Sequence, residues 1–339
     1  MSTNTKCAAL VSGGLDSLLA VKLIQEQGIF VQGLFFETPF FSMKKVKYHC
    51  EKNSIPLLVI PCFEEYKKML LNPASGYGKH MNPCIDCHVF MLKKAAEYIH
   101  EKGFDFIITG EVLGERPMSQ NRNSLNRVIN LSGVRDLVLR PLSARHMKPT
   151  KPELDGLVDR ERLEAIKGRG RKRQYELAEK YGIKEIPQPG GGCLLTDKNI
   201  SERLRFLIST RKEGLTERDT RLLKVGRYLH LGKGQLLIVG RNEKENDILT
   251  EKYRKETDIL FEPVLYPGPS ALLPHAGNDE SLISFSVSIC ARYSDIKGDE
   301  KAVYKVSTPV REFEVKSVKA DDEEIKKRFD LTVKSGDGC

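Results

Sequence analysis

The chain has 339 residues, 40% apolar and 30% charged, with a net charge of +9 at neutral pH; that length exceeds one ordinary domain and suits two or three. No apolar run approaches the ~20 residues of a membrane span, and MSTNTKCAAL lacks the basic-then-apolar pattern of a signal peptide, so a cytoplasmic protein with no membrane partner is expected. Eight cysteines (Cys7, Cys50, Cys62, Cys84, Cys87, Cys193, Cys290 and Cys339) are too sparse for a disulfide scaffold and read as thiols, metal ligands or catalysts.

In chain order, KCAALV (6 to 11) predicts a short buried strand. Ser-Gly-Gly-Leu-Asp-Ser follows, then LLAVKLIQEQG with helical spacing and a C-capping Gly28. FVQGLFFET (30 to 38) and PLLVIPC (56 to 62) predict two more strands. Helical patterns run from about Glu64 to Leu71 and from Asp86 to Lys102. FDFIITG (104 to 110) predicts a strand, and DLVLRPLS (136 to 143) a further one. Strands alternating with helices predict an α/β fold with a doubly wound parallel sheet over residues 1–150.

From about Lys148 the texture changes. Residues 140 to 173 hold eleven Lys or Arg against five Asp or Glu, a density that suits phosphate backbones or a solvated basic helix. Charged helical patterns occupy 159 to 181, and PQPGGGCLLT spans 187 to 196. We read 151–204 as a basic helical segment that completes the site. NISERLRFLISTR is helix-like. RYLHL, GQLLIVG, SFSVSIC, KAVYKVS and REFEVKSV read as short strands. Residues 205–339 therefore read as a second, smaller α+β module.

Ser12-Gly13-Gly14-Leu15-Asp16-Ser17 sits between a strand and a helix. Two glycines permit a tight turn and close approach of backbone to ligand. The helix that follows offers free N–H groups and its positive end to an anion. A Gly-Gly turn before a helix is also common without any ligand. The segment resembles the SGGxDS signature of PP-loop ATP pyrophosphatases at every defining position, and no G-x-x-x-x-G-K-[ST] segment occurs. The resemblance implies attack on the α-phosphate of ATP and release of pyrophosphate, with an adenine nucleotide alpha hydrolase-like sheet. It implies that Ser12, Gly13, Gly14, Asp16 and Ser17 hold the nucleotide, with Asp16 near Mg2+. It also implies Phe36 and Thr38 beside the adenosine.

Asn82-Pro83-Cys84-Ile85-Asp86-Cys87-His88 opens a helix, and Cys-x-x-Cys there places two sulfurs on one face. On spacing alone a zinc site, a redox pair and unrelated thiols stay open. The segment is similar to the N-P-x-x-x-C motif of tRNA 2-thiouridylases. That resemblance implies catalytic roles for Asp16, Cys87 and Cys193, the last in Gly190-Gly191-Gly192-Cys193, and a persulfide that forms and breaks on the two cysteines. Position 84 departs from the many bacterial members that carry Asp. Cys84, Cys87 and Cys193 look like the three-cysteine set of iron–sulfur tRNA thiolases, which implies a [4Fe–4S] cluster with one open iron. Cys7, Cys62 and Cys290 read as core, Cys62 also as a spare ligand; Cys50 and Cys339 carry no motif.

Thr109 to Gln120 follows a strand at its C-terminal end, where open α/β sheets bind ligands. It looks like the second nucleotide-side loop of the thiolases, which implies Gly110 and Glu111 at ATP or the target base. It also puts Arg116, Ser119 and Gln120 at phosphate or at the sulfur side. Arg140-Pro141-Leu142-Ser143 is similar to the R-P-L motif of PP-loop sulfurtransferases, with Arg140 opposite phosphate charge. We assign Arg169, Arg171, Lys172 and Arg173 to RNA backbone. VGRNEKEN (239 to 246) resembles the RNA-binding domain of NFACT-type proteins, which adds Arg227, Lys233 and Arg241.

Together these readings imply a tRNA sulfurtransferase that uses ATP, Mg2+ and a [4Fe–4S] cluster. Its partners would be tRNA and a sulfur donor: sulfide, a cysteine desulfurase or a sulfur carrier. A homodimer is one assembly left open. The rivals are a thiouracil desulfidase, an ATP-dependent enzyme of a small metabolite, and a non-catalytic RNA-binding protein of the ribosome. The complete SGGLDS disfavours the first, the basic run and extra module the second, and the intact Ser12, Asp16 and three cysteines the third.

Overall fold

The computed structural model describes residues 5–186, 193–232, 234–252, 254–277, 281–298, 300–321, 323 and 325. The chain divides between Asp197 and Lys198 into two units.

The first unit is built on five parallel strands: β1 (Lys6–Leu10), β2 (Phe30–Glu37), β3 (Leu57–Pro61), β4 (Phe106–Thr109) and β5 (Val138–Leu139). Their order is β3-β2-β1-β4-β5. Winding goes one way from β1 to β2 and β3 and the other way to β4 and β5. A crevice therefore opens where the C-terminal ends of β1 and β4 diverge, the usual ligand position in such sheets. The helices are α1 (Leu15–Gln25), α2 (Met43–Lys52), α3 (Phe63–Leu71), α4 (Cys84–Lys102), α5 (Arg122–Ser132), α6 (Lys151–Leu154) and α7 (Lys172–Lys180).

Burial explains which segments became which elements. In α1, Leu15, Leu18, Leu19, Ala20, Val21, Leu23 and Ile24 are all buried, because this helix packs into the core over most of its circumference. Each such Leu or Ile contributes about 1.5–3 kcal/mol of apolar transfer. Two helices escape the sequence reading because their stripes are narrow. In α2 only Val46, His49 and Cys50 are buried. In α5 the stripe is Leu125, Val128, Ile129 and Ser132, and Asn121 caps it by accepting a hydrogen bond from Ser124 N at 2.8 Å. The strand expected over 136 to 143 shrinks to two residues, because Pro141 cannot donate to a ladder and Ser143 N turns back to Arg140 O. The helix expected over 159 to 181 survives only as a turn at Arg160–Arg162 and as α7. Gly168 interrupts it at φ 85°, its N–H bonded to Leu113 O.

The second unit carries α8 (Lys198–Arg211), α9 (Glu217–Leu222), α10 (Glu243–Asp247) and α11 (Ile283–Arg292) with six antiparallel strands. These are β6 (Arg227–Gly232), β7 (Gln235–Val239), β8 (Ile259–Pro263), β9 (Ala271–Leu273), β10 (Ala302–Ser307) and β11 (Glu312–Ser317), in the order β11-β10-β8-β9-β7-β6. The expected strand SFSVSIC is the body of α11. Its alternation of Ser with apolar residues mimics a strand, but Ile283, Ser286, Val287 and Cys290 recur at helical spacing and are buried together. β8 and β9 are short runs that the sequence reading passed over. Cys7, Cys50, Cys62 and Cys290 are buried; Cys339 lies outside the described residues. No helix among the described residues is long and apolar enough to cross a membrane.

At one position the sheet and the loop of the SGGLDS segment touch backbone to backbone. A Cβ on Gly110 would lie 2.5 Å from Ser17 N and 2.6 Å from Asp16 C, whereas one on Gly170 would meet nothing within 4 Å. Gly110→Ala should therefore cost about 1–3 kcal/mol of stability, and Gly170→Ala less than about 0.5 kcal/mol. Urea unfolding of the two variants checks this; equal midpoints would contradict the packing described.

Candidate functional site

The loop after β1 is fixed before any ligand arrives. Gly13 sits at φ 69°, and a Cβ there would come within 2.9 Å of Val46 Cα. Gly14 is the N-cap of α1 and supplies no side-chain cap, so the first-turn N–H groups are left for an anion. Ser12 Oγ accepts from Gly14 N at 3.4 Å, Ser17 Oγ donates to Gly14 O at 2.8 Å, and Ser17 Oγ also accepts from Ser12 N at 3.4 Å.

Asp16 faces the rim of this loop. Its Oδ2 lies 3.2 Å from Arg171 Nη2, and the same guanidinium nitrogen binds Glu115. Burial and the Glu115 charge lift the Asp16 carboxyl to about 6, against the pull of Arg171, Gln174 and Arg116. Gln174 is completely buried, with its amide beside the Asp16 carboxylate. Neither end of that amide, nor Asp16 Oδ1, completes a hydrogen bond.

Beyond Gly110 stands a second network. Glu111 is buried, its Oε2 accepting from Arg140 Nε at 2.8 Å and from Thr109 Oγ1 at 3.0 Å. Its Oε1 lies 2.9 Å from His88 Nδ1. Burial alone would raise the Glu111 carboxyl; the Arg140 charge and the His88 contact outweigh it and hold the carboxyl well below its ordinary value. Ser143 completes the frame, accepting from Leu113 N at 2.9 Å and donating to Ile166 O at 2.7 Å.

His88 is adjacent to Cys87, so this network leads to the thiols. Cys84 and Cys87 lie in the first turn of α4, and Asn82 Nδ2 donates to Cys84 Sγ at 3.2 Å. Asp86, between them, accepts from Ser75 N at 2.9 Å. Cys193 is held on the same unit: Leu194 N donates to Phe40 O at 3.1 Å, and Leu195 is completely buried. Cys62, at the start of α3, donates to Glu37 O at 3.4 Å. Beneath the thiols Tyr66 packs against Phe40 and Phe90 with ring centroids 6.0 and 5.9 Å apart, and Phe90 meets Phe36 at 6.5 Å. Burial and then the charges of Cys87, Cys193 and Cys84 push the Tyr66 phenol well up, so these three sulfurs share its surroundings. Burial likewise pushes the Cys87 thiol well up, with Cys193, Cys84 and Cys62 adding to it and Tyr66 opposing.

The donor set suits an iron–sulfur cluster by chemistry, with Cys84, Cys87 and Cys193 as thiol ligands and Cys62 near enough to act on Cys87. Its spacing does not: among the described residues no group of three His, Cys, Asp or Glu side chains is arranged to hold a metal ion.

The expected site residues fall into distinct settings. Ser12 to Ser17, Gly110 and Glu111 gather at the ends of β1 and β4, with the Glu111 carboxylate already engaged. Phe36 and Thr38 are buried, Thr38 Oγ1 accepting from Phe40 N at 3.4 Å. Arg116 acts electrically on both Asp16 and Cys193; Ser119 and Gln120 are buried. Of the basic run, Arg169 and Lys172 are exposed, Arg173 is bound by Glu164 and Glu176, and Arg171 turns to Asp16. Arg227 lies over the Tyr293 ring at 4.8 Å, and Arg241 pairs with Glu245. Gly190 to Gly192 and Lys233 lie outside the described residues. The sequence reading gave no part to Tyr66, His88, Glu115 or Gln174. Only His88 had a local signal, its place next to Cys87.

Comparison with known proteins agrees with the motifs. Residues 2–148 match the family described as Thiamine biosynthesis protein (ThiI), and residues 226–329 match the NFACT protein RNA binding domain. The first match lies within the first unit and the second within the second unit. It is 29% identical over 133 residues to tRNA-specific 2-thiouridylase MnmA of Petrotoga mobilis, covering 33% of this chain and 36% of that protein. It is 30% identical over 149 residues to a probable tRNA sulfurtransferase of Acholeplasma laidlawii, covering 40% and 34%. The alignments thus span about a third of the length of these two relatives. A 4-thiouridine synthetase–RNA complex with bound ATP aligns over 53% of this chain and 52% of its own at 16% identity and a TM-score of 0.35.

Burial pushes the Cys193 thiol up to about 11, Cys84 adding to this and the Leu195 backbone and Arg116 opposing. Only the thiolate is alkylated, so labelling of Cys193 in the reduced protein should rise about tenfold per pH unit from 7 to 10. Peptide-resolved mass spectrometry after iodoacetamide pulses checks this. A plateau above about pH 8.5, the ordinary thiol range, would contradict the buried setting.

Proposed function

We propose that the protein is an ATP-dependent tRNA sulfurtransferase that replaces a uridine carbonyl oxygen with sulfur. The observation that carries the reading is the short path from Asp16 through Gly110 and Glu111 to His88 and Cys87. An uncapped phosphate loop and a group of thiols stand at the two ends of that path. A nucleotide-activated base placed between them would have sulfur within reach of the carbon being activated. The ThiI-type match within the first unit supports ATP as the activating group, and the similarity to a tRNA-specific 2-thiouridylase and a probable tRNA sulfurtransferase supports tRNA as the acceptor.

In this reading Ser12, Gly13, Gly14 and Ser17 seat the phosphates on the N-terminus of α1, and Asp16 takes the Mg2+ that travels with them. The uridine O2 or O4 attacks the α-phosphorus, and the bond to the β-phosphate breaks, giving an adenylated base and pyrophosphate. The terminal sulfur of a persulfide on Cys87 or Cys193, charged beforehand by a donor persulfide, attacks the activated carbon, and AMP leaves with the oxygen. The partner thiol then takes the enzyme-side sulfur of the link to the base. A Cys87–Cys193 disulfide forms, its proton going to solvent, and an external thiol reduces it for the next turnover. The base must leave its stack to be reached. Arg169 and Lys172 on the first unit, with the NFACT-type domain, supply cations for the RNA backbone.

Incubation with ATP and unmodified tRNA should release AMP and pyrophosphate in step with thiouridine in the digested RNA. Release of ADP and phosphate, or loss of sulfur from thiolated tRNA without ATP, would remove the assignment. The alternative sulfur source is a [4Fe–4S] cluster, which Cys84, Cys87 and Cys193 would hold only on closing together from the spacing described, and which would supply sulfide in place of the persulfide. Protein purified without oxygen should then hold about four irons per chain and lose them on Cys84→Ala. Iron-free protein that still thiolates tRNA would reject the cluster and leave the persulfide route.

A further inference from the structure

The sequence places Arg171 inside a basic run assigned to RNA, but the structure separates it from its neighbours. Arg169 and Lys172 are exposed, and Arg173 is neutralised by Glu164 and Glu176. Arg171 instead turns inward, its side chain 17% exposed, and bridges Asp16 of the phosphate loop to Glu115 of the loop after β4. The segment that carries it is fastened there. Lys167 bridges Leu113, Gly168 N donates to Leu113 O at 2.8 Å, and Gly114 and Gly168 face one another with nothing but backbone between.

The bridge is held by carboxylates yet leaves polar atoms unanswered. Asp16 Oδ1 and the amide of the completely buried Gln174, three residues after Arg171, face each other with neither group's hydrogen bonding completed by the protein alone. Buried polar groups are nearly always paired, so incompletely bonded groups gathered beside a phosphate loop fit a site that a polar ligand completes. A guanidinium prefers planar, doubly bonding oxyanions, and a phosphate offers the same pair of oxygens as a carboxylate.

We propose that Arg171 is a ligand of the ATP phosphates, held in reserve by Asp16 and Glu115 until nucleotide arrives. The inference rests on the ATP reading above and adds a residue to it. On binding, Arg171 exchanges its carboxylates for phosphate oxygens at the rim of the α1 N-terminus. Asp16 is thereby released for the divalent cation, and Gln174 gains a partner for its amide. The cation that Asp16 receives replaces the one it gives up, whereas Glu115 loses its guanidinium and so opposes the exchange. Arg171 is therefore removed from the RNA grip to which the sequence assigned it, and nucleotide affinity depends on that basic run.

Equilibrium binding of Mg–ATP and of adenosine to the full chain tests the proposal, with circular dichroism to confirm that each variant is folded. Arg171→Gln should weaken ATP about tenfold or more, the range for a charge-assisted hydrogen bond, and leave adenosine unchanged. Glu115→Gln should tighten ATP several-fold, because it frees Arg171 from a competitor. The double variant should stay weak. If Arg171 served only to screen two carboxylates, Glu115→Gln would not tighten ATP and the double variant would bind like the unaltered protein; either result overturns the proposal. Equal ATP binding by the Arg171→Gln and unaltered proteins overturns it while the ATP reading stands. Failure of the unaltered protein to bind ATP removes both.

Discussion

The Glu111 carboxylate is the constraint on which the rest of the first unit's site depends. Burying it unpaired would cost several kcal/mol, and removing one partner of such a pair typically costs about 3–5 kcal/mol. Its partners come from three separate elements: Thr109 at the end of β4, Arg140 just after β5 and His88 in α4. Each must be in place for the charge to be answered. One side chain therefore registers the two strands on one side of the sheet crevice against the helix that carries the cysteines. Arg140 keeps one buried nitrogen without a hydrogen bond, so the network is compact rather than saturated.

Around that anchor the backbone does as much as the side chains. Gly110 lets the end of β4 press on the first turn of α1, and Gly13 lets the phosphate loop pass over Val46. Ser143 pins the loop after β4 to the segment that leads towards α7. These contacts bring residues far apart in sequence to one edge of the sheet. Precision comes from rigid elements rather than from the loops themselves, the arrangement that holds reacting groups in place at least entropic cost.

What the sequence disclosed follows from range. The SGGLDS segment is local: strand, two glycines and helix are adjacent, and its geometry follows from those six residues. Four of the strands of the first unit were legible because they are short apolar runs, buried in a parallel sheet. α11 was misread because Ser in alternate positions imitates a strand, and only the packing of Ile283, Ser286, Val287 and Cys290 on one face decides otherwise. The partners of Arg171 were beyond reach in another way. Asp16 lies 155 residues away and Glu115 56, and nothing in a run of arginines says which one will fold inward. Spacing likewise brought the cysteines into view but could not give their separation in space.

The raised thiols of Cys87 and Cys193 have a consequence for oxidative chemistry. Peroxide attacks thiolates, and the oxidation ladder of cysteine begins from that form. Burial favours the neutral form of Cys87 against the pull of Tyr66, with Cys193 raised in the same direction. Sulfurs so held are poor targets for stray oxidants. The environment that makes them sluggish at rest also shelters them from irreversible conversion to sulfinic acid. Reactivity then has to be conferred locally, by the arrival of a positive group or by loss of the surrounding apolar wall, and it lasts only as long as that change persists.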